Sequence, residues 1–261
     1  MDSLDEFFAR IQAVRRRLGL ANSSPWFRGH AHPNYKLTPT LLREDYIQKN
    51  KINNHLQFEK NLACEFITRG GSEISNHNDA WELLGLMRHY EMPTRLLDWT
   101  TSLSVALYFS LNDFPDNDRE NNPHIWLMNP HLLNEKITGN VVVFDSVDRL
   151  DLSYFDCLLG KSTYQYNGPV ALRLPLSNPR IRAQRGCFTF HGTGLNDASI
   201  SDDKPLNDYG DRIAKKIDIP NRLVPKLRSW LELDGVDDYF IYPELHNLSG
   251  SLKKSLLRGM R

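Results

Sequence analysis

Three features of this 261-residue sequence predict an α+β fold, a mixed or antiparallel sheet flanked by helices. Apolar residues recur at helical spacing through much of the first 111 positions. Beyond them the chain breaks into short apolar runs of strand length. No shift of composition resembling a linker divides the two, so residues 1–261 read as a single domain.

The opening helix follows from Leu4, Phe7, Phe8, Ile11, Val14 and Leu18, which fall on one face and stop at Gly19. Residues 1–22 are expected to dock on the domain. A short aromatic strand comes next, Trp26-Phe27-Arg28-Gly29-His30, expected to break at its glycine. Residues 37–43 read as a turn-rich connection and 44–69 as one or two polar helices, with His55 and His77 at the surface. Residues 70–79 read as loop, with Asn78 or Asp79 capping the next helix. Trp81 to Met87 has helical spacing, and the helix should end at Tyr90-Glu91-Met92-Pro93, because the residue before a proline avoids the α region. Thr94 to Trp99 reads as a strand, and 102–111 as a packed helix capped from Thr100-Thr101-Ser102. The polar stretch 113–123 is expected to be a mobile loop. Further strands are predicted at 124–128, 141–145, 170–174, 187–191, 217–219 and 239–242, with helices at 221–233 and 245–257.

The 32 basic and 32 acidic side chains balance. No global field therefore draws the protein onto nucleic acid or a membrane surface. No run approaches the roughly 20 apolar residues of a membrane span. Met1-Asp2-Ser3-Leu4-Asp5-Glu6 lacks the basic and apolar regions of a signal peptide, and Cys64, Cys157 and Cys187 are unpatterned, which together point to reduced thiols in the cytoplasm. No cysteine pair stands at metal-ligand spacing, so no metal is expected.

Chemistry is concentrated in three stretches. Arg88-His89-Tyr90-Glu91-Met92-Pro93-Thr94-Arg95-Leu96-Leu97-Asp98-Trp99-Thr100 delivers an Arg, an Asp and a Thr to a helix N-terminus, where free amides favour anions. The alternative is a structural Arg95–Asp98 ion pair and a helix-capping His89. Arg95 and Asp98 are three apart, so on a strand they face opposite sides, one toward a site and the other toward the core. Arg28 on an aromatic strand is costly to bury without an anionic partner, and Gly29 beside it would let a ligand approach the main chain. Gln184, before Gly186 and an alternating strand, would aim its amide from a sheet edge. Arg180, Arg182 and Arg185 make that region locally basic.

Phe27-Arg28-Gly29, His89 through Thr100, and Gln184-Arg185-Gly186-Cys187-Phe188 together resemble the bacterial FRG-domain family, named for its Phe-Arg-Gly motif. That family's pattern places a Gln before the His-Tyr pair and a Gly before Met-Pro. This sequence has Arg88 and Glu91 there. The order of elements is similar to the ADP-ribosyltransferase fold, in which a first strand carries an Arg or His that holds NAD, a second strand with a Ser or Thr leads into a helix, and a later strand brings a catalytic Glu. The resemblance implies Arg28 at the first position, Thr94 to Thr100 at the second and Gln184 near the third. An amide cannot supply the negative charge of that Glu, so Asp98 or Glu244 would have to.

The resemblance thus implies an NAD-binding ADP-ribosyltransferase-like enzyme that transfers ADP-ribose or cleaves NAD, acting on a protein, a nucleic acid or water, in a bacterial defence or toxin system. Arg28, His89, Arg95, Asp98 and Gln184 are the candidate catalytic residues. Arg28, Gly29, His30, Tyr90, Thr94 and Thr100 are the candidate NAD-binding residues, with Tyr90 stacking on a ring. A non-catalytic nucleotide-binding or protein-interaction module is the second reading. A nuclease using His89, Asp98 and His191 is the third.

Overall fold

The computed structural model describes residues 3–74, 80–115, 118, 120–145, 168–175, 178–192, 210 and 212–259. His77, Cys157 and the cap expected at Asn78 or Asp79 lie outside them. The described strands form one seven-stranded sheet. They are β1 (Trp26–His30), β2 (Leu96–Thr100), β3 (His124–Met128), β4 (Phe144–Asp145), β5 (Val170–Arg173), β6 (Gly186–Phe190) and β7 (Ala214–Asp218). Their order is β4-β5-β6-β2-β1-β3-β7. Every neighbouring pair is antiparallel except β4 and β5.

Ser3 starts α1 (Leu4–Arg17) by accepting a hydrogen bond from the Glu6 amide, and Gly19 ends it at φ 72°. Its Phe7, Ile11 and Val14 are buried, each removal of such a side chain from water contributing about 1.5–3 kcal/mol. They pack with Phe27, Ile125, Leu127 and Ile217 of the sheet, with α5 (Leu103–Leu111) and with α8 (Val224–Leu233). Helix α5 is apolar on nearly all sides because it lies under the domain. The Ser102 side chain caps it, accepting from the Val105 amide.

On the same face of the sheet, Leu96, Phe188 and Phe190 meet α3 (His55–Gly70) and α4 (Ala80–His89). The opposite face buries Trp26, Leu97, Trp99, Met128 and Ala171, covered by Leu133 of α6 (Pro130–Thr138). Helix α2 (Glu44–Lys49), α7 (Pro179–Ala183), α9 (Asp238–Ile241) and α10 (Leu245–Gly259) complete the described helices.

Four sequence expectations are corrected. Residues 239–242 are not a strand: Asp237 caps the Phe240 amide and turns the apolar run into α9, burying Ile241. His55 is buried, not at the surface, at the first turn of α3. Of 141–145, only Phe144 and Asp145 pair, because the Val141 and Val142 carbonyls accept from His131 and Asn134 of α6. Gly29 does not break β1, which continues to His30. A Cβ there would lie 1.9 Å from the Ala106 carbonyl oxygen, so the absence of a side chain at Gly29 permits the close approach of α5.

Candidate functional site

The sheet is split at its centre. Strands β1 and β2 share a single registered pair, Phe27 with Thr100, whereas β2 pairs with β6, and β1 with β3, over five residues each. Where the two strands diverge, a cleft of about 500 Å³ opens. It is lined from β1 by Arg28, Gly29 and His30, from β2 by Asp98 and Thr100, and from the connection after β1 by Tyr35 and Arg43. Helix α4 contributes Arg88 and His89, α7 contributes Arg180, and Gln184 and Tyr242 close the far end.

Asp98 is the hub. Arg88 grips it in a fork, Nη2 to Oδ2 at 2.7 Å and Nε to Oδ1 at 3.3 Å, the geometry that planar guanidinium groups favour. Arg28 spans the split, its Nη1 donating to the Asp98 carbonyl at 2.5 Å and lying 3.9 Å from Oδ2. Burial pushes the Asp98 carboxyl up, but Arg88 and Arg28 outweigh it and hold the group below the usual carboxylate range. Arg88 is raised by its bond to Asp98. Arg28 is drawn down to about 10, by burial first and then by Arg43 and Arg88, against the pull of Asp98. That depression comes chiefly from burial of the guanidinium, with two neighbouring arginines adding to it.

Arg28 Nε also donates to His30 Nε2 at 3.0 Å, which fixes the proton of His30 on Nδ1, 3.2 Å from His124 Nε2. Burial and Arg28 push His30 down to about 2, so it is a neutral acceptor for Arg28. Arg180 donates to the His89 carbonyl at 3.0 Å and lies with its Cζ 4.4 Å from the Tyr242 ring centroid, within cation–π range. His89 is pushed down by burial and by Arg180, and its buried Nδ1 has no hydrogen-bond partner among the described residues.

Gln184 sits at the C-terminus of α7, not at a strand edge. Its Nε2 donates to the Ile241 carbonyl at 3.2 Å, and its own carbonyl accepts from Thr100 Oγ1 at 2.7 Å. Thr100 Oγ1 in turn accepts from the Ser102 amide, which ties the strand end to the cap of α5.

Arg28, Gly29, His30, His89, Asp98, Thr100 and Gln184 therefore come together, and three other candidates do not. Arg95 points away from the cleft: its backbone amide and Nε both donate to Glu59, at 3.1 and 2.7 Å, and the pair is closed from solvent. Thr94 is fully buried and its Oγ1 accepts from the Leu96 amide. Tyr90 is 62% exposed and rests edge-on to His89 and beside Phe66 instead of lining the cleft. The nuclease set fails to assemble in the same way. His191 is buried, pushed down to about 3 by its burial, and bonded to Thr189 Oγ1 at 3.0 Å. Glu244 does not line the cleft, and its Oε2 accepts from Asn247.

Arg43, Arg88, Arg180, Tyr35 and Tyr242 line the cleft without having been candidates. Arg43 lies in an irregular segment, where no periodicity marks a direction. The Arg88–Asp98 pairing crosses from a helix to a strand, which no local pattern encodes. Among the described residues no group of three or more His, Cys, Asp or Glu side chains could hold a metal ion, and no helix is long and apolar enough to cross a membrane.

A split sheet with an arginine-rich cleft defines an α+β domain suited to an anionic ligand. Residues 23–119 match the family model of the FRG domain, a match that spans β1, α4, β2 and α5 and covers less than half of the chain. Neither the curated proteins nor the solved structures contain a match to this sequence.

Proposed function

We propose that the cleft binds NAD and that the protein is an ADP-ribosyltransferase-like enzyme that cleaves it. The observation that carries this reading is the convergence of Arg28, Asp98, Thr100 and Gln184 on the split between β1 and β2. These residues come from the three segments that the resemblance singles out. Arg28, with Arg88 and Arg180 beside it, supplies the field for a diphosphate, and the volume suits a dinucleotide.

In the reaction the bond between nicotinamide nitrogen and ribose C1′ breaks, the nitrogen keeps the electron pair, and water or an acceptor attacks C1′. Arg28 holds the diphosphate, Gln184 hydrogen-bonds a ribose hydroxyl, and the Asp98 carboxylate faces the positive charge that develops on the ribose. Glu91 lines the cleft as well, but its side chain is 79% exposed at the rim and 3.8 Å from Arg180. Asp113 also lines the cleft but is exposed, which supports Asp98 as the carboxylate for this role.

One observation favours a second reading, a nucleotide-binding module without turnover. Both Asp98 oxygens already accept from Arg88, and the Gln184 amide is engaged by Ile241. Incubation with NAD, with nicotinamide followed by chromatography and NAD binding followed by thermal shift, separates the two. Nicotinamide release that is lost in Arg28→Ala and Asp98→Asn, with both variants folded, supports the enzyme. A thermal shift without release supports the module, and the absence of both sinks the NAD reading.

A further inference from the structure

Arg43 stands apart from the other arginines of the cleft. Arg28 and Arg88 share Asp98, and Arg180 has a carbonyl, an aromatic face and Glu91. Arg43 uses its Nε on the Thr38 carbonyl at 3.1 Å. Among the described residues its two terminal amino groups have no hydrogen-bond partner and no carboxylate within ion-pairing distance. It is partly buried at the cleft wall, close enough to Arg28 to depress it. Burial and Arg88 lower Arg43 itself, against the pull of Asp45 and the more distant Asp98.

A guanidinium held by one nitrogen, with its terminal fork free of direct partners, is a preorganised donor pair for a tetrahedral oxyanion. Leaving that fork without hydrogen bonds in a partly buried wall has a desolvation cost that a ligand would offset. Asp98 is shared by Arg28 and Arg88, and Asp45 acts on Arg43 through its field without an ion pair. A bridging diphosphate lying along Arg28 would spread one negative charge over each phosphorus. A phosphate monoester carries close to two charges on three terminal oxygens at neutral pH, which suits a second cation with both amino groups open.

We infer that Arg43 and Arg28 form a subsite for a terminal phosphate monoester, so that the cleft selects a nucleotide bearing such a group over its diester-only counterpart. This rests on the nucleotide-binding reading above and adds the class of nucleotide. Arg28 positions the ligand, and Arg43 discriminates.

Titration calorimetry tests it with two matched pairs of probes, NADP against NAD and ADP-ribose 2′-phosphate against ADP-ribose. In the wild-type protein the monoester-bearing member of each pair should bind about 10- to 100-fold more tightly, the range for charge-assisted hydrogen bonds. Arg43→Met should erase that difference while leaving NAD and ADP-ribose affinities within about twofold, and Arg43→Lys should restore part of it. Equal affinities within each pair in the wild type would overturn the monoester subsite and leave nucleotide binding standing. So would Arg43→Met weakening all four ligands alike, since that signals only a general field. Failure of the wild-type protein to bind any of the four would overturn both readings at once. Melting curves of Arg43→Met without ligand show that the variant is folded.

Discussion

Two charged clusters grow from the same few residues of β2 and its approach, and they differ in almost every physical respect. Arg95 and Glu59 form a closed pair, with side chains 3% and 0% exposed, the Arg95 amide and Nε both donating to the carboxylate, and the Phe190 ring 4.8 Å from the guanidinium. Three residues on, Asp98 is 40% exposed and shared by two arginines, with a third cation, Arg43, nearby that no carboxylate among the described residues meets in an ion pair. The first cluster is saturated, so it fixes α3 against β2 and has no capacity left for a ligand. The second is cationic, open and incompletely matched, which is the condition for binding an anion. An arginine in a motif is therefore no evidence of a site; what counts is whether its charge is already satisfied.

The sharpest way to break this comparison is to remove one charge from the closed pair. Glu59→Gln removes the buried carboxylate to which Arg95 donates, and the expected cost is about 3–5 kcal/mol. Melting temperature should fall by about 10 °C, read by circular dichroism. The double change Glu59→Leu with Arg95→Met should recover most of that loss, since apolar groups of similar volume commonly replace a buried pair at little cost. A loss below about 1 kcal/mol in Glu59→Gln would show the pair to be as weak as a surface bridge.

The next effect comes from histidines that both regions keep neutral. His30 in the cleft is pushed down to about 2 by burial and Arg28, His124 behind it to about 4, by burial and then Lys216, and His191 to about 3, by burial and then Arg28. In the unfolded chain each takes up a proton near pH 6.5. Below that pH the unfolded state binds more protons than the folded one, so stability is fully present above 6.5 and falls as the pH drops toward the folded values. The expected slope is about 1.4 kcal/mol per pH unit for each histidine. Urea melts between pH 7 and 5 measure it, and His191→Asn should reduce the slope by about one proton. A flat profile would mean that these rings are hydrated and not closed off.

The open cluster should respond in the opposite sense to the closed one. Arg43→Met removes a cation set beside Arg28 and Arg88, with Asp45 the carboxylate that acts most on it, and the ligand-free protein should keep its stability to within about 1 kcal/mol. Thermal denaturation of the two proteins in low salt, where screening is weakest, gives the sign. A loss of several kcal/mol would place Arg43 among the structural charges and dissolve the contrast with Glu59.

How far this was legible in the sequence depends on whether the signal was local. The α1 stripe from Phe7 to Leu18 and the cap at Ser102 lie within one element, so spacing and capping chemistry reveal them. The opposed directions of Arg95 and Asp98 follow from strand alternation alone. The run Tyr239-Phe240-Ile241-Tyr242 has strand-like composition, and the cap at Asp237 that makes it helical precedes the apolar residues. Gln184 belongs to the short helix α7, whose Asn178 cap and Pro179 start are hidden among arginines. Least legible was the cleft itself. It exists because β1 and β2 separate beyond Phe27 and Thr100, and the groups that fill it, Arg43, Arg88 and Tyr242, come from segments up to about two hundred positions apart that no periodicity connects.

The smallest effect concerns the position where the sequence departs from the glycine of its family resemblance. Glu91 adopts φ 59°, the left-handed region that favours glycine. It lies just past the end of α4, where its amide donates to the Arg88 carbonyl and the Met92 amide to that of Met87, a helix stop of the kind usually built around glycine. A side chain there costs about 1 kcal/mol of backbone strain. Its compensation is a 3.8 Å approach to Arg180 at a largely exposed carboxylate, which contributes little. Glu91→Gly should therefore raise stability by no more than about 0.6 kcal/mol, after allowing for the greater freedom of glycine in the unfolded chain. Loss of the carboxylate also frees one amino group of Arg180 toward the cleft, so anion affinity should rise slightly in the same variant. If Glu91→Gly instead destabilises the protein, Glu91 and Arg180 form a clasp at the rim, and the open cluster is more nearly saturated than its exposure suggests.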